Sequence, residues 1–203
     1  RLVSSHVSRV FCDFYKSMNI DAKDVGEAFL GHLTGSPGGH RIGVYDSWLV
    51  DDTRMTTWAA VDIDGGVDHK NPVADIEEAT KGVREALDAL GLPSYVEVSR
   101  SGKGRHIWMF LSGPVEAWIA RSAVLSALAL MKPIALAPGS AETYAEPQKN
   151  IGIEVFPKSV DGPGIGMPLI LPYYHCDEAP RTRFVLPEVD WNDPEPIKLG
   201  DPD

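Results

Sequence analysis

The sequence predicts an α/β fold of the α+β kind. β-rich runs at residues 41–45, 56–64, 95–99, 106–111 and 151–156 alternate with two stretches, 73–90 and 114–131, that carry apolar residues at helical spacing. At 203 residues and 43% hydrophobic content, the chain can bury one substantial core or two small α/β halves packed together. A single domain over residues 1–203 is the simplest organisation, with an acidic, proline-rich tail from about residue 190.

Taken in order, Val7, Val10, Phe11, Phe14 and Tyr15 sit at helical spacing and predict a first helix over 4–18. Asp24 can cap a second helix through Leu33. The loop Gly35-Ser36-Pro37-Gly38-Gly39 then leads into the strand Arg41–Tyr45. Thr56–Asp64 is a β-rich run stopped by Gly65-Gly66. Val73, Ile76, Val83, Leu87 and Leu90 mark a helix that Gly91 ends as a C-terminal cap. Strands at Tyr95–Ser99 and His106–Leu111 flank a glycine-rich turn and read as a hairpin. Pro114 stands at a first-turn position and predicts a helix through about Met131. Residues 135–150 read as a surface loop before the strand Ile151–Phe156, and a further loop at 161–164 precedes Met167–Pro172.

No apolar run approaches the ~20 residues needed to cross a bilayer, and the N-terminus has no signal pattern, so the expectation is a cytoplasmic protein without a membrane partner. Cys12 and Cys176 form no disulfide framework and no CxxC pair, and His175-Cys176 read as ordinary loop residues rather than zinc ligands. A net charge of −10 argues against a module that coats a phosphate backbone, but not against an enzyme that concentrates acids at metal ions and bases at phosphates. Beginning at Arg1 and ending in Gly200-Asp201-Pro202-Asp203, the chain reads as a domain of a longer polypeptide. Partner domains are expected in that longer polypeptide.

Three clusters carry candidate chemistry. Residues two apart on a strand share a face, so Asp62 and Asp64 present both carboxylates together. Two like charges about 4 Å apart repel by roughly 4 kcal/mol at an effective dielectric near 20, which a divalent cation relieves. The other reading is that one aspartate caps the Gly65-Gly66 turn while its neighbour faces solvent. The second cluster, Ser99-Arg100-Ser101-Gly102-Lys103-Gly104-Arg105-His106, offers glycine backbone, two bases, hydroxyls and an imidazole, as a triphosphate requires, although the GxxxxGK[ST] spacing is absent. It also suits a solvated hairpin turn. In the third, Ile151–Lys158, Glu154 stands alone between Ile153 and Val155. It is either a partnered strand acid or a glutamate on the solvent face of an edge strand.

The order Asp-x-Asp after an apolar strand, then Ser-Gly-x-Gly-x-His, then a strand acid before Phe-Pro-Lys resembles the three-motif pattern of archaeo-eukaryotic primases. His32-Leu33, Arg41–Tyr45 and Leu169-Ile170-Leu171-Pro172 add to a likeness with bacterial and phage-type primase-polymerases, including the kind that accompanies CRISPR systems. The resemblance covers roughly residues 28–172 and implies additional domains such as helicase or CRISPR-associated modules. It implies an N-terminal α/β unit and a C-terminal RRM-like antiparallel unit with the active site between them. It further implies a template-dependent nucleotidyltransferase acting on a DNA template and primer with NTPs or dNTPs, by two-metal chemistry with Mg²⁺ or Mn²⁺. By that resemblance Asp62, Asp64 and Glu154 are metal ligands and catalytic acids. Lys103, Arg105 and His106 contact phosphate, with Ser101, Gly104 and Lys158 in the same pocket. Gly104 stands where some relatives carry serine, and the third acid is Glu rather than Asp. Two rivals are a replication-initiator nuclease, whose His-hydrophobic-His motif is not met by His106-Ile107-Trp108, and a silent RNA-binding module on the same sheet, which calls for basic and aromatic residues on exposed strands.

Overall fold

The computed structural model describes residues 9–13, 16–19, 24–34, 41–65, 73–131, 135–136, 143–146, 151–162, 166–173 and 182–185. Its strands are β1 (Arg9–Asp13), β2 (Lys16–Asn19), β3 (Arg41–Tyr45), β4 (Trp48–Val50), β5 (Thr53–Asp64), β6 (Tyr95–Val98), β7 (Arg105–Glu116), β8 (Ala135–Leu136), β9 (Thr143–Glu146), β10 (Ile151–Phe156), β11 (Pro168–Ile170) and β12 (Arg183–Val185). The helices are α1 (Val25–Thr34), α2 (Val73–Ala89) and α3 (Ala117–Leu128). The α+β expectation holds: every strand pairing among the described residues is antiparallel.

An eight-stranded sheet runs β12-β6-β7-β5-β10-β9-β8, with β4 also on β5, and a four-stranded sheet runs β11-β3-β1-β2. Within the larger sheet, β5-α2-β6-β7-α3-β10 is a βαββαβ unit whose strands lie in the order β10-β5-β7-β6, the split arrangement of an RRM-like sheet. The N-terminal elements β1 to β3 and α1, joined by β11, form the smaller unit.

Alternation along β5 explains both layers. Ala59, Val61 and Ile63 point to one face and, with Ile107, Val96 and Ile153, pack beneath α2 and α3. Trp58 and Ala60 point to the other face. There, with Trp108 and Phe156, they meet Ile42 and Val44 of β3, Leu169 of β11 and Phe29 of α1. Asp62 and Asp64 continue that second face at the end of β5, where the smaller core stops.

Several local expectations hold. Helix α2 ends as predicted: Gly91 takes φ +68°, its N–H reaches Asp88 O at 2.9 Å, and Leu92 N–H reaches Leu87 O at 3.0 Å, which completes a Schellman cap. Strands β6 and β7 form the expected hairpin.

Three others are corrected. The segment given to a first helix instead forms β1 and β2, paired with each other and with β3. Valine and phenylalanine suit a strand, and tertiary pairing overrides a helical spacing that short strands also satisfy. Val7, Phe14 and Tyr15 lie outside the described residues. Pro114 does not open a helix but lies within β7, where the register with β5 shifts between Thr56 and Trp58; at such an irregularity a missing N–H costs no ladder bond. Helix α3 begins three residues later. The expected loop at 135–150 contains β8 and β9, which extend the sheet beyond β10. The tail from about residue 190 and His175-Cys176 lie outside the described residues.

Candidate active site

Cross-strand register assembles the site. Glu97 of β6 faces His106 of β7, His106 faces Asp62 of β5, and Asp62 faces Glu154 of β10, so four polar residues form one row across four strands. Directly opposed residues share a face, which brings Glu154 beside the aspartates although the chain between them is long. Asp64, two residues on, faces Gly152, whose lack of a side chain leaves room at that position.

The turn joining β6 to β7 stands over this row. Gly102 adopts φ +73° and its N–H donates to Ser99 O at 2.9 Å, the closing bond of the turn. Ser99 Oγ accepts from Gly104 N–H at 3.0 Å, and Ser101 Oγ accepts from Lys103 N–H at 3.2 Å. A Cβ on Gly104 would come within 3.0 Å of Ser99 Oγ and 3.1 Å of Ile63 O, so this position favours glycine through crowding against β5. Between the turn and the sheet lies a cavity of about 580 Å³ whose walls include Asp62, Asp64, Ser101, Lys103, Gly104 and His106.

Electrostatics in the cavity are tightly linked. Burial pushes the Asp62 carboxyl above the usual carboxylate range; His106 and Lys158 oppose that, while Asp64 and Glu154 add to it. Burial disfavours the His106 cation, yet Asp62, Glu97 and Asp64 outweigh it and push the imidazole up to about 9. At neutral pH the ring is an imidazolium with two donors. Nδ1 lies 2.9 Å from Glu97 Oε2 and Nε2 lies 3.5 Å from Asp62 Oδ1.

Three sequence-chosen residues, Arg105, Glu154 and Lys158, sit apart from the cavity walls. Arg105 is one position from His106 and therefore points through the sheet to the helix side. It is 1% exposed there, with its guanidinium 3.3 Å from Glu77 of α2 and donating to Gly102 O at 3.1 Å and Gly104 O at 2.9 Å. Burial holds its pKa below the usual guanidinium range against the pull of Glu77. Strand alternation thus corrects Arg105 from a phosphate contact to a clamp under the turn. Lys158 follows β10 and its Nζ lies 2.5 Å from Glu154 Oε2, so in this arrangement it neutralises the third acid.

Sequence reasoning missed two residues. Glu97, between Val96 and Val98, gave the same signal as Glu154, an isolated acid in an apolar strand. Asp46 gave none. Its buried carboxylate accepts N–H bonds from Lys158 at 2.6 Å, Ser159 at 3.4 Å and Met167 at 3.0 Å, partners more than 100 residues away. Burial raises its pKa although each of those bonds lowers it.

The archaeo-eukaryotic primase domain of TOTE conflict systems matches residues 6–137. The chain belongs to this primase family. Among solved structures, the chain is similar to the polymerase domain of Ligase D from Mycobacterium tuberculosis in complex with DNA, at 18% identity and a TM-score of 0.40, over 64% of this chain and 48% of that one. No curated protein matches. The primase-family match contains Asp62, Asp64 and the turn from Ser99 to His106, and ends before Glu154 and Lys158. It names a TOTE conflict system, and the finer likeness to CRISPR-associated enzymes has no counterpart in it.

Among the described residues, no group of three or more His, Cys, Asp or Glu side chains is gathered tightly enough to hold a metal ion, and no helix is long and apolar enough to cross a membrane. The donor chemistry nonetheless fits a hard divalent cation. Asp62, Asp64 and Glu154 are oxygen donors on one sheet face, and Asp64 and Glu154 both raise the cost of ionising Asp62. Glu154 is engaged by Lys158 in this arrangement.

Proposed function

We propose that this chain is a template-dependent nucleotidyltransferase, a DNA primase-polymerase domain that joins NTPs or dNTPs. The observation that carries this reading is that two strand aspartates, Lys103 and His106 line one cavity. Acids for metal and cations for a triphosphate share a single space of nucleotide-accommodating size.

Asp62 and Asp64 would hold Mg²⁺ or Mn²⁺, with Glu154 as a third ligand once released from Lys158. Bound divalent metal supplies charge neutralisation at the phosphates and lowers the cost of forming the attacking alkoxide. The chain's own groups do the rest. Lys103 gives a mobile ammonium, His106 a directed N–H, and Ser101 a hydroxyl towards the triphosphate, while Gly104 keeps the turn close to β5. Released Lys158 becomes a further cation for phosphate. Beyond His106 on the same face, Tyr95 at 49% exposure and Phe110 at 43% stand 5.9 Å apart, a surface suited to stacking unpaired template bases.

That aromatic pair also favours a second reading, a silent nucleic-acid-binding module on an RRM-like sheet. One assay separates the two. A primed DNA template is incubated with Mg²⁺ or Mn²⁺ and each nucleotide set, a parallel series lacks primer, and products are resolved by length. Extension that is lost in Asp62→Asn supports the enzyme; template binding without any product in every series would establish the silent module. The nuclease rival fares worse, since the position of a second metal histidine is the buried indole of Trp108.

A further inference from the structure

The Glu97 carboxylate is 1% exposed at the floor of the cavity's histidine. One oxygen, Oε2, takes two bonds, from His106 Nδ1 at 2.9 Å and from Trp108 Nε1 at 2.7 Å. The other, Oε1, has no hydrogen-bond partner among the described residues. A buried carboxylate left half satisfied is a poor device for stability, since an apolar residue would fill the same strand position without the desolvation cost. Its geometry suits orientation. Trp108 is itself 1% exposed, lies in the core between the sheets and stacks on Phe110 at 9° and 6.0 Å, so Glu97 is anchored from the side away from the cavity.

The consequence falls on His106. An imidazole ring has two orientations related by a half turn, and a carboxylate on Nδ1 selects one of them, with Nδ1–H donated to Glu97; with carboxylates at both edges the ring keeps a second proton on Nε2. Nε2 is then directed towards the acids, where Asp62 Oδ1 at 3.5 Å is too distant to saturate it as a donor. An unsaturated N–H beside the cavity is what an incoming phosphate oxygen requires.

We propose that Glu97, supported by the Trp108 indole, is a positioning residue for the nucleotide pocket: it fixes the ring of His106 so that Nε2–H is delivered to a triphosphate oxygen. This rests on the nucleotide-site reading above. Glu97 acts through His106 and touches no substrate.

The test is a double-substitution cycle on the full chain, with calorimetric binding of a non-incorporable nucleoside triphosphate analogue in the presence of Mg²⁺. Glu97→Gln keeps the volume of the side chain and removes the charge. It should weaken binding by roughly tenfold, as should Glu97→Asp, which keeps the charge and withdraws it from Nδ1. His106→Ala should lose at least as much, and Glu97→Gln in the His106→Ala background should lose nothing more. In extension assays Glu97→Gln should raise the nucleotide KM with little change in kcat. The Nδ1–H proton resonance of His106, which a carboxylate bond holds downfield, should move upfield. Thermal melting confirms that each variant is folded; if Glu97→Gln does not fold, Glu97→Asp supplies the comparison. Parental affinity in folded Glu97 variants, or losses that add to those of His106→Ala, would overturn the positioning role while leaving the pocket standing. A parent chain that binds no nucleotide would instead overturn the pocket.

Discussion

His106 is where charge, hydrogen bonding and the site meet in a single residue. Its pKa rises from 6.5 to about 9 in the folded chain, so the metal-free protein holds this proton more tightly than the unfolded chain does. The associated stability is fully present below pH 6.5 and is lost as pH rises through 9, with a size of about 3 kcal/mol. Melting temperature of the metal-free protein should therefore fall between pH 6.5 and 9.5, and His106→Gln should flatten that stretch of the profile. A parental slope in the variant would assign the titration elsewhere. Gly166 illustrates a different constraint at the same scale. A Cβ there would lie 2.0 Å from Asp46 Oδ1 and 2.9 Å from Ser47 Oγ, both buried. Gly166→Ala must displace the carboxylate that holds the backbone of Lys158, and should destabilise the protein by about 2–4 kcal/mol, measured by chemical denaturation.

At the scale of elements, β5 does most of the positioning. Its alternation gives one row of residues to the helices and the other to the smaller core and the acids, and its two neighbours bring His106 and Glu154 to either side of Asp62. Because burial and two neighbouring carboxylates raise the cost of ionised Asp62, Asp62→Asn should raise the metal-free melting temperature while abolishing nucleotide incorporation. Unchanged incorporation would remove Asp62 from the chemistry. Period two made the Asp62/Asp64 pairing legible in the sequence, and Gly91 made the end of α2 legible, because both are local rules. The same rule, applied one residue further, would have turned Arg105 away from His106. What escaped was non-local. β1 and β2 exist through pairing with β3, Pro114 is tolerated through a register shift against β5, and Asp46 is defined by backbone partners that follow β10 and precede β11. Glu154 reached the aspartates only through sheet order, which the motif resemblance implied and spacing alone could not.

For the molecule as a whole, a net charge of −10 and an aromatic sheet face make contrasting demands on nucleic acid. Phosphates are repelled at long range and can be met only by local cations such as Lys103, so affinity for a single strand should be low and should fall steeply with salt. Bases need no charge. Tyr95, Phe110 and Phe184 lie within 6.4 Å of one another, centroid to centroid, on the face that carries His106 and Trp108, and each step of two residues along β7 advances about 7 Å, the reach of one nucleotide. If the strand lies along β7 with its bases on these rings, the two contributions separate experimentally. Fluorescence anisotropy of a labelled single strand, repeated across salt concentrations, gives both an affinity and a salt slope. Phe110→Ala should lower affinity by roughly five- to a hundred-fold, the worth of one stacked base, while leaving the slope unchanged because no phosphate contact is lost. Lys103→Ala should reduce the slope by about one unit of released counterion with a smaller loss at high salt. A Phe110→Ala variant with parental affinity would place the template off this face. One that altered the slope would mean that the ring orders a basic group rather than stacking on a base.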